Sequence, residues 1–289
     1  MVQKVIIPAA GLGTRLFPAT KEQPKEMLPI FSNTSHGDMI VKPVVQLVFE
    51  QLHDAGLREF CFVVGRGKRS IEDHFTPDTD CIQTLEESGK NGQAADLESF
   101  YTMLDSSTIM WVNQPEPKGF GNAVLMAQPF IQNESCLVHA GDSCIISKNM
   151  DYAKKLLDNF QRFKADATFL VMEIDNPKQY GIVEGEEIEP GIIKVKKVVE
   201  KPKTPKTNLA IMAMYVFHPV IFKALKEIKP GKNGEIQLTD AIQKLVEWEM
   251  RVYAVKLDCD YNHLDIGSPE RYWEALELSH KQFCRKQTT

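Results

Sequence analysis

The stretch Lys4-Val5-Ile6-Ile7-Pro8-Ala9-Ala10-Gly11-Leu12-Gly13-Thr14-Arg15, continuing through Leu16-Phe17-Pro18-Ala19-Thr20-Lys21-Glu22-Gln23 to Pro24-Lys25-Glu26-Met27-Leu28-Pro29, decides how the chain is read. Lys4–Pro8 is a short apolar run of the kind that forms a buried strand. After it, Gly11 and Gly13 let backbone N–H groups turn toward an anion, and Arg15, Lys21 and Lys25 add cations. A helix is expected over Val41–Ala55, with Pro43 in its first turn and Gly56 past its end. Strand, glycine loop and helix make the opening of a βα unit, and the loop suits a polyphosphate.

The commoner glycine signatures do not fit. A dinucleotide fingerprint needs Gly where Leu16 stands, and a Walker A loop needs Gly-Lys followed by Ser or Thr. The run Gly65-Arg66-Gly67-Lys68-Arg69-Ser70 imitates Walker A, but Phe62 holds the place of its first glycine and Arg69 separates Lys from Ser; it reads as a solvated turn.

Outward from this loop, Phe60–Val64, Thr108–Val112, Cys136–His139 and Ala167–Ile174 read as strands, alternating with helical patterns at Ala94–Leu104, Gly121–Phe130 and Asp151–Phe163. Pro77–Gln93 reads as a surface loop. Strands then dominate (Ile182–Glu184, Ile192–Val199, Leu209–Phe217) before helices return at Val220–Ile228, Leu238–Trp248 and Pro269–Phe283. The fold class is α/β, a Rossmann-like mixed, mostly parallel sheet flanked by helices, with an inserted β layer. No linker divides the chain, so 1–289 is expected to be a single domain, with parts at 1–140, 141–268 and a C-terminal helix at 269–289.

Composition bounds the function. The 289 residues carry 34 Lys and Arg against 39 Asp and Glu, and a net charge of −5 is the wrong sign for gripping a nucleic acid polymer. The six cysteines contain no CxxC pair and read as reduced, partly in strand cores. With no signal peptide and no apolar run of about 18 residues, a cytoplasmic protein without membrane contact is expected.

Gly11-Leu12-Gly13-Thr14-Arg15 with Pro24-Lys25-Glu26-Met27-Leu28-Pro29 resembles the N-terminal signature of the sugar-nucleotidyltransferases, and among them the bacterial-type UTP–glucose-1-phosphate uridylyltransferases. Further blocks follow in order: Gln114-Pro115-Glu116-Pro117-Lys118-Gly119-Phe120-Gly121, Gly141-Asp142, Tyr180-Gly181-Ile182-Val183, Val199-Glu200-Lys201-Pro202, Glu235-Ile236-Gln237-Leu238-Thr239-Asp240 and Asp265-Ile266-Gly267. The resemblance spans nearly the whole chain. It implies the nucleotidyltransferase fold, a uridylyl transfer from UTP to glucose-1-phosphate, Mg²⁺ as cofactor, and a homo-oligomer, dimer or tetramer.

It also implies roles. Ala10, Gly11, Gly13, Glu26, Gln114 and Gly119 would bind the nucleotide, Gln suiting uracil because it both donates and accepts. Arg15 and Lys25 would hold the β and γ phosphates, and Lys201 would bridge phosphates. Gly181 and Glu200 would bind the sugar, and Asp142 with Asp265 the metal, ahead of Asp258, Asp260 and His263. Neighbours on a strand face opposite ways, so Glu200 and Lys201 share a site only if the strand ends or bulges there, as Pro202 suggests. The chain departs from the pattern at Ala140-Gly141, at Asn122 where His is common, and at Ile266 where Cys is frequent. Those departures leave open dTTP or dual use, and a non-catalytic subunit of the same fold stands as a rival. An NAD-binding oxidoreductase is disfavoured by Leu16.

Overall fold

The computed structural model describes residues 2–34, 37–147, 151–231 and 234–284. In chain order its elements are β1 (Lys4–Pro8), β2 (Pro29–Asn33), β3 (Met39–Pro43), α1 (Val44–Asp54), β4 (Glu59–Val64), α2 (Arg69–His74), α3 (Thr79–Glu87), α4 (Asn91–Asp105), β5 (Thr108–Asn113), α5 (Phe120–Met126), α6 (Gln128–Ile131) and β6 (Cys136–His139). There follow β7 (Ser143–Ile146), α7 (Tyr152–Arg162), β8 (Ala167–Glu173), β9 (Gly181–Glu189), β10 (Ile192–Glu200), β11 (Leu209–Phe217), α8 (Val220–Glu227), α9 (Leu238–Glu247), β12 (Val252–Lys256), β13 (Asn262–Asp265) and α10 (Pro269–Cys284).

Among the described residues nine strands form one sheet in the order β5-β4-β1-β6-β11-β8-β12-β10-β9. Pairing is parallel across β5, β4, β1 and β6, and again between β8 and β12. β11 runs against both β6 and β8, and β10 against β12 and β9, so the sheet is mixed with a larger antiparallel share than strand–helix alternation suggests. The inserted β segment is built as an extension of this sheet, with β9 meeting β10 along its length and β11 at Ala210–Ile182.

Both faces of the sheet are covered, which explains the unbroken apolar runs in the first strands. Val5 and Ile7 of β1 and Phe60, Phe62 and Val64 of β4 join a core with α1, α7 and α10. Ile6, Cys61 and Val63 point the other way, into a core with α5, α8 and α9. Period-2 alternation thus feeds two cores from one strand. Cys61, Cys136 and Cys144 lie in these layers, where burial pushes each thiol up to about 12 and leaves it inert.

Three local expectations are corrected. The helix expected from Val41 starts at Val44, because Lys42 precedes a proline that disfavours helical backbone, and Val41 pairs with Phe31 across β2 and β3. Pro77–Gln93 is not a loop: Asp78 accepts from the backbone N of Asp80 and Cys81 and caps α3, whose apolar residues Ile82 and Leu85 are only half-buried in an otherwise polar segment. Gly121–Phe130 breaks into α5 and α6 at Ala127. β2, β7, β12 and β13 were not expected at all. Residues 285–289 of the expected C-terminal helix lie outside the described residues.

Candidate functional site

The crossover points of the sheet place the loops at the C-terminal ends of β1 and β6 side by side, where open α/β sheets bind ligands. Ala9 N donates to Val63 O at 2.8 Å and Gly141 N to Pro8 O at 3.1 Å, which ties both loops to the sheet edge. Gly13 has φ +64, a left-handed turn that starts the short helix Thr14–Leu16, and Thr20 Oγ1 donates to Gly13 O at 2.8 Å. Arg15 is left exposed on that turn. After a second short turn at Ala19–Lys21, a third, Lys25–Met27, buries Glu26 and aims Lys25 at the cleft.

That cleft consists of two joined cavities of about 440 and 240 Å³ that share Arg15, Phe120, Asp142, Lys201 and Gln237. Ala10, Gly11, Gly13, Lys25, Glu26, Gln114 and Gly119 line the larger one, and Gly181, Glu200 and Asp265 the smaller. Every site residue expected from sequence therefore lies on one continuous cleft. Asp258 and Asp260 do not line it, whereas His263 does.

Asp142 and Asp265 are brought together by the smallest sheet. β13 runs antiparallel to β7 with Asp265 opposite Ser143, and Ile266 N donates to Asp142 O at 3.3 Å. Lys25 Nζ forms an ion pair with Asp142 Oδ2. Burial works against the charge on both partners, but their mutual attraction prevails and holds Asp142 below the usual carboxylate range and Lys25 above the usual lysine value. Asp265 is hydrogen-bonded by Arg271 Nη1 through Oδ2 and by Gly267 N at 2.8 Å through Oδ1. No group of three or more His, Cys, Asp or Glu able to hold a metal occurs among the described residues. Two adjacent carboxylates suit a hard cation such as Mg²⁺, which takes few protein oxygens and fills its other positions with phosphate and water; the cleft is lined by one histidine, His263, and no cysteine, short of the His and Cys sets typical of zinc.

At the smaller cavity β10 ends at Glu200, and Lys201 turns out of the strand with φ +42. The two side chains thereby reach the same cavity, Lys201 Nζ lying 3.0 Å from Glu200 Oε1. Thr239 Oγ1 donates to Glu200 Oε2 at 2.7 Å. A Cβ on Gly181 would come within 3.0 Å of that hydroxyl and 3.3 Å of that carboxylate, so glycine keeps the corner open.

Four cleft-side residues were missed as contributors. Lys68 Nζ donates to Glu26 Oε2 at 2.7 Å, the buried exception in a turn whose Arg66, Gly67, Arg69 and Ser70 are exposed as expected. Burial raises the Glu26 carboxyl above its ordinary value, with Lys68 and Lys25 opposing it. Asn122, noted only as a departure, contacts Gln114. Thr239 sits within a quoted motif, and Arg271 lies on α10, where no motif marks it. The only signal available for Lys68 was a lysine just past the end of a buried strand.

A nucleotidyl transferase family model matches residues 4–282. A UTP–glucose-1-phosphate uridylyltransferase of Bacillus subtilis is 40% identical over 270 residues, covering 92% of this chain and 87% of the relative. One from Pseudomonas aeruginosa is 35% identical, covering 99% and 98%. Among solved structures, a UDP-glucose pyrophosphorylase complexed with UDP-glucose matches with a TM-score of 0.84 at 33% identity, over 98% of this chain and 100% of that one. A UTP-bound enzyme of that kind from Acinetobacter baumannii matches with a TM-score of 0.81 at 28% identity, over 98% and 94%.

Proposed function

Because the chain belongs to the nucleotidyl transferase family, we propose that it transfers a uridylyl group from UTP to glucose-1-phosphate, giving UDP-glucose and pyrophosphate. It is an enzyme of that family; the substrates are the proposal, and the named activity of its relatives supports them. The observation that carries the reading is the meeting of Asp142, in the turn just before β7, with Asp265, at the end of β13, within a cleft that also holds Arg15, Lys25 and Lys201.

A phosphate oxygen of glucose-1-phosphate attacks the α-phosphorus of UTP; one P–O bond forms and the bond to the β-phosphate oxygen breaks, with pyrophosphate leaving. No protein nucleophile takes part. Both reactants are anions, so the residues act by positioning and by charge. Lys201, beside Glu200, faces the incoming phosphate, and Arg15 and Lys25 hold the departing phosphates. Ala10, Gly11, Gly13, Glu26, Gln114 and Gly119 seat the nucleotide, and Gly181 with Glu200 seats the sugar, whose hydroxyls the carboxylate accepts from. Mg²⁺ held by Asp142 and Asp265 would supply charge stabilisation on the phosphate oxygens.

The same reading takes 1–140 as the nucleotide part and 141–268 as the sugar-phosphate part of one domain, in a cytoplasmic homo-oligomer. No helix of the described residues is long and apolar enough to cross a membrane. The test is a matrix of nucleoside triphosphates against sugar-1-phosphates, read by pyrophosphate release with and without chelator. UTP with glucose-1-phosphate is expected to dominate, with chelation abolishing activity and Mg²⁺ restoring it. Absence of pyrophosphate from every pair would refute the proposal.

A further inference from the structure

Gln114 is 5% exposed and lines the larger cavity just beyond β5, its own N–H donating to Val64 O at 2.7 Å. Its side-chain Nε2 donates to Gly119 O at 3.2 Å and to Asn122 Oδ1 at 2.8 Å. A backbone carbonyl only accepts, so the Gln114 atom facing Gly119 is the nitrogen, and the Asn122 atom facing that nitrogen is the oxygen. Gly119 carries its carbonyl to this place with φ +96. A Cβ there would lie 2.9 Å from both Glu235 Cβ and Ile236 O, so only glycine fits. Asn122 is itself buried within α5.

Both amide hydrogens of Gln114 are thus spent on the wall, and its Oε1, without a partner among the described residues, is the polar atom left for a ligand. An acceptor in that position suits the ring N3–H of uracil. Cytosine presents a lone pair at the same ring position and meets the oxygen with repulsion. Rotating the amide to suit cytosine would set Oε1 against Gly119 O, which cannot donate, and would require the Asn122 amide to turn with it.

We propose that Asn122 is a positioning residue that locks the Gln114 amide with its carbonyl toward the base, and that this lock selects uracil and thymine over cytosine. The proposal rests on the nucleotide reading above and deepens it. Two acceptors hold the amide where one would leave it able to swing.

The test compares the wild-type protein with Asn122→Leu, which removes the acceptor, and Asn122→Asp, which keeps one. Binding of UMP and CMP is measured by titration calorimetry, and kcat and KM with UTP and CTP by pyrophosphate release. Wild type is expected to prefer UMP by about a hundredfold, the cost of leaving one buried acceptor without its hydrogen bond. Asn122→Leu is expected to narrow that ratio about tenfold, the worth of one hydrogen bond, by weakening UMP and raising the UTP KM. Its kcat at saturating UTP should stay near wild type, and Asn122→Asp should retain the ratio. A folded Asn122→Leu protein with the wild-type ratio, or equal losses for both nucleotides in both variants, overturns the proposal. Should Asn122→Leu fail to fold, Asn122→Ala is read in the same way. A wild-type protein that sorts UMP from CMP yet releases no pyrophosphate from any pair would sink the proposed reaction and leave the base lock standing.

Discussion

Lys68 Nζ donates to Glu26 Oε2 at 2.7 Å, and the two side chains are 7% and 1% exposed, so an ion pair 42 residues apart in sequence is sealed into the wall of the cleft. The pair joins the single turn Lys25–Met27 to the end of the loop after β4.

Removing Lys68 strips the buried Glu26 carboxylate of its direct hydrogen-bonded partner and leaves only Lys25 to offset the charge. Lys68→Met is expected to destabilise the protein by about 3–5 kcal/mol, the range for a broken buried pair. Chemical unfolding in urea checks this as a fall in midpoint at unchanged slope. The double variant Lys68→Met with Glu26→Gln should recover much of the loss, because no charge is then stranded. A single variant as stable as wild type would contradict the coupling.

Legibility followed burial. β1, β4, β6 and β8 were readable because strands covered on both faces need apolar residues at every position, and the end of β10 was readable from Pro202. α3 was not, since Ile82 and Leu85 alone make too narrow an apolar stripe to stand out in a polar segment. β7 and β13 are no shorter than β6 but open on polar residues, Ser143 and Asn262-His263, and their long-range pairing, which joins Asp142 to Asp265, leaves no mark in a local stretch of sequence. Lys68 and Arg271 were hidden for another reason: each acquires its role from a carboxylate that only the tertiary fold brings near.

The charge pattern around Asp142 sets a second prediction. Asp142→Asn removes the carboxylate that pairs with Lys25, and Lys201→Ala removes a cation whose side chain is 59% exposed. Each variant is expected to lower kcat about a hundredfold or more, as loss of a preorganised charge does. Lys201→Ala should do so with unchanged thermal unfolding, since an exposed side chain contributes little packing. Wild-type turnover in either purified variant would remove that residue from the mechanism.

The hydrogen bond from Thr239 Oγ1 to Glu200 Oε2 predicts an effect confined to the sugar side. Thr239→Val keeps the shape and loses the donor, leaving the Glu200 carboxylate free to turn. The KM for glucose-1-phosphate is expected to rise about tenfold, equivalent to one hydrogen bond, with the KM for UTP little changed. Thr239→Ser should restore the wild-type value. Equal changes in both KM values would point to a general disturbance of the cleft instead.

A final expectation concerns pH. His74 lies against Phe100, with ring centroids 5.4 Å apart, and its Nε2 is 2.9 Å from Gln46 Oε1. Burial lowers its pKa to about 4 from the ordinary 6.5. Between those values the unfolded chain binds a proton that the folded chain refuses, so stability is whole above pH 6.5 and is lost as pH falls toward 4. A shift of that size corresponds to about 3 kcal/mol at the acid end. His139, buried and also lowered to about 4, adds to the same slope. His74→Gln cannot titrate and should flatten part of the decline, which thermal unfolding from pH 7 to pH 4.5 would show as a smaller drop in Tm than in wild type. An identical decline in the two proteins would mean that His74 takes up its proton without cost in the folded state.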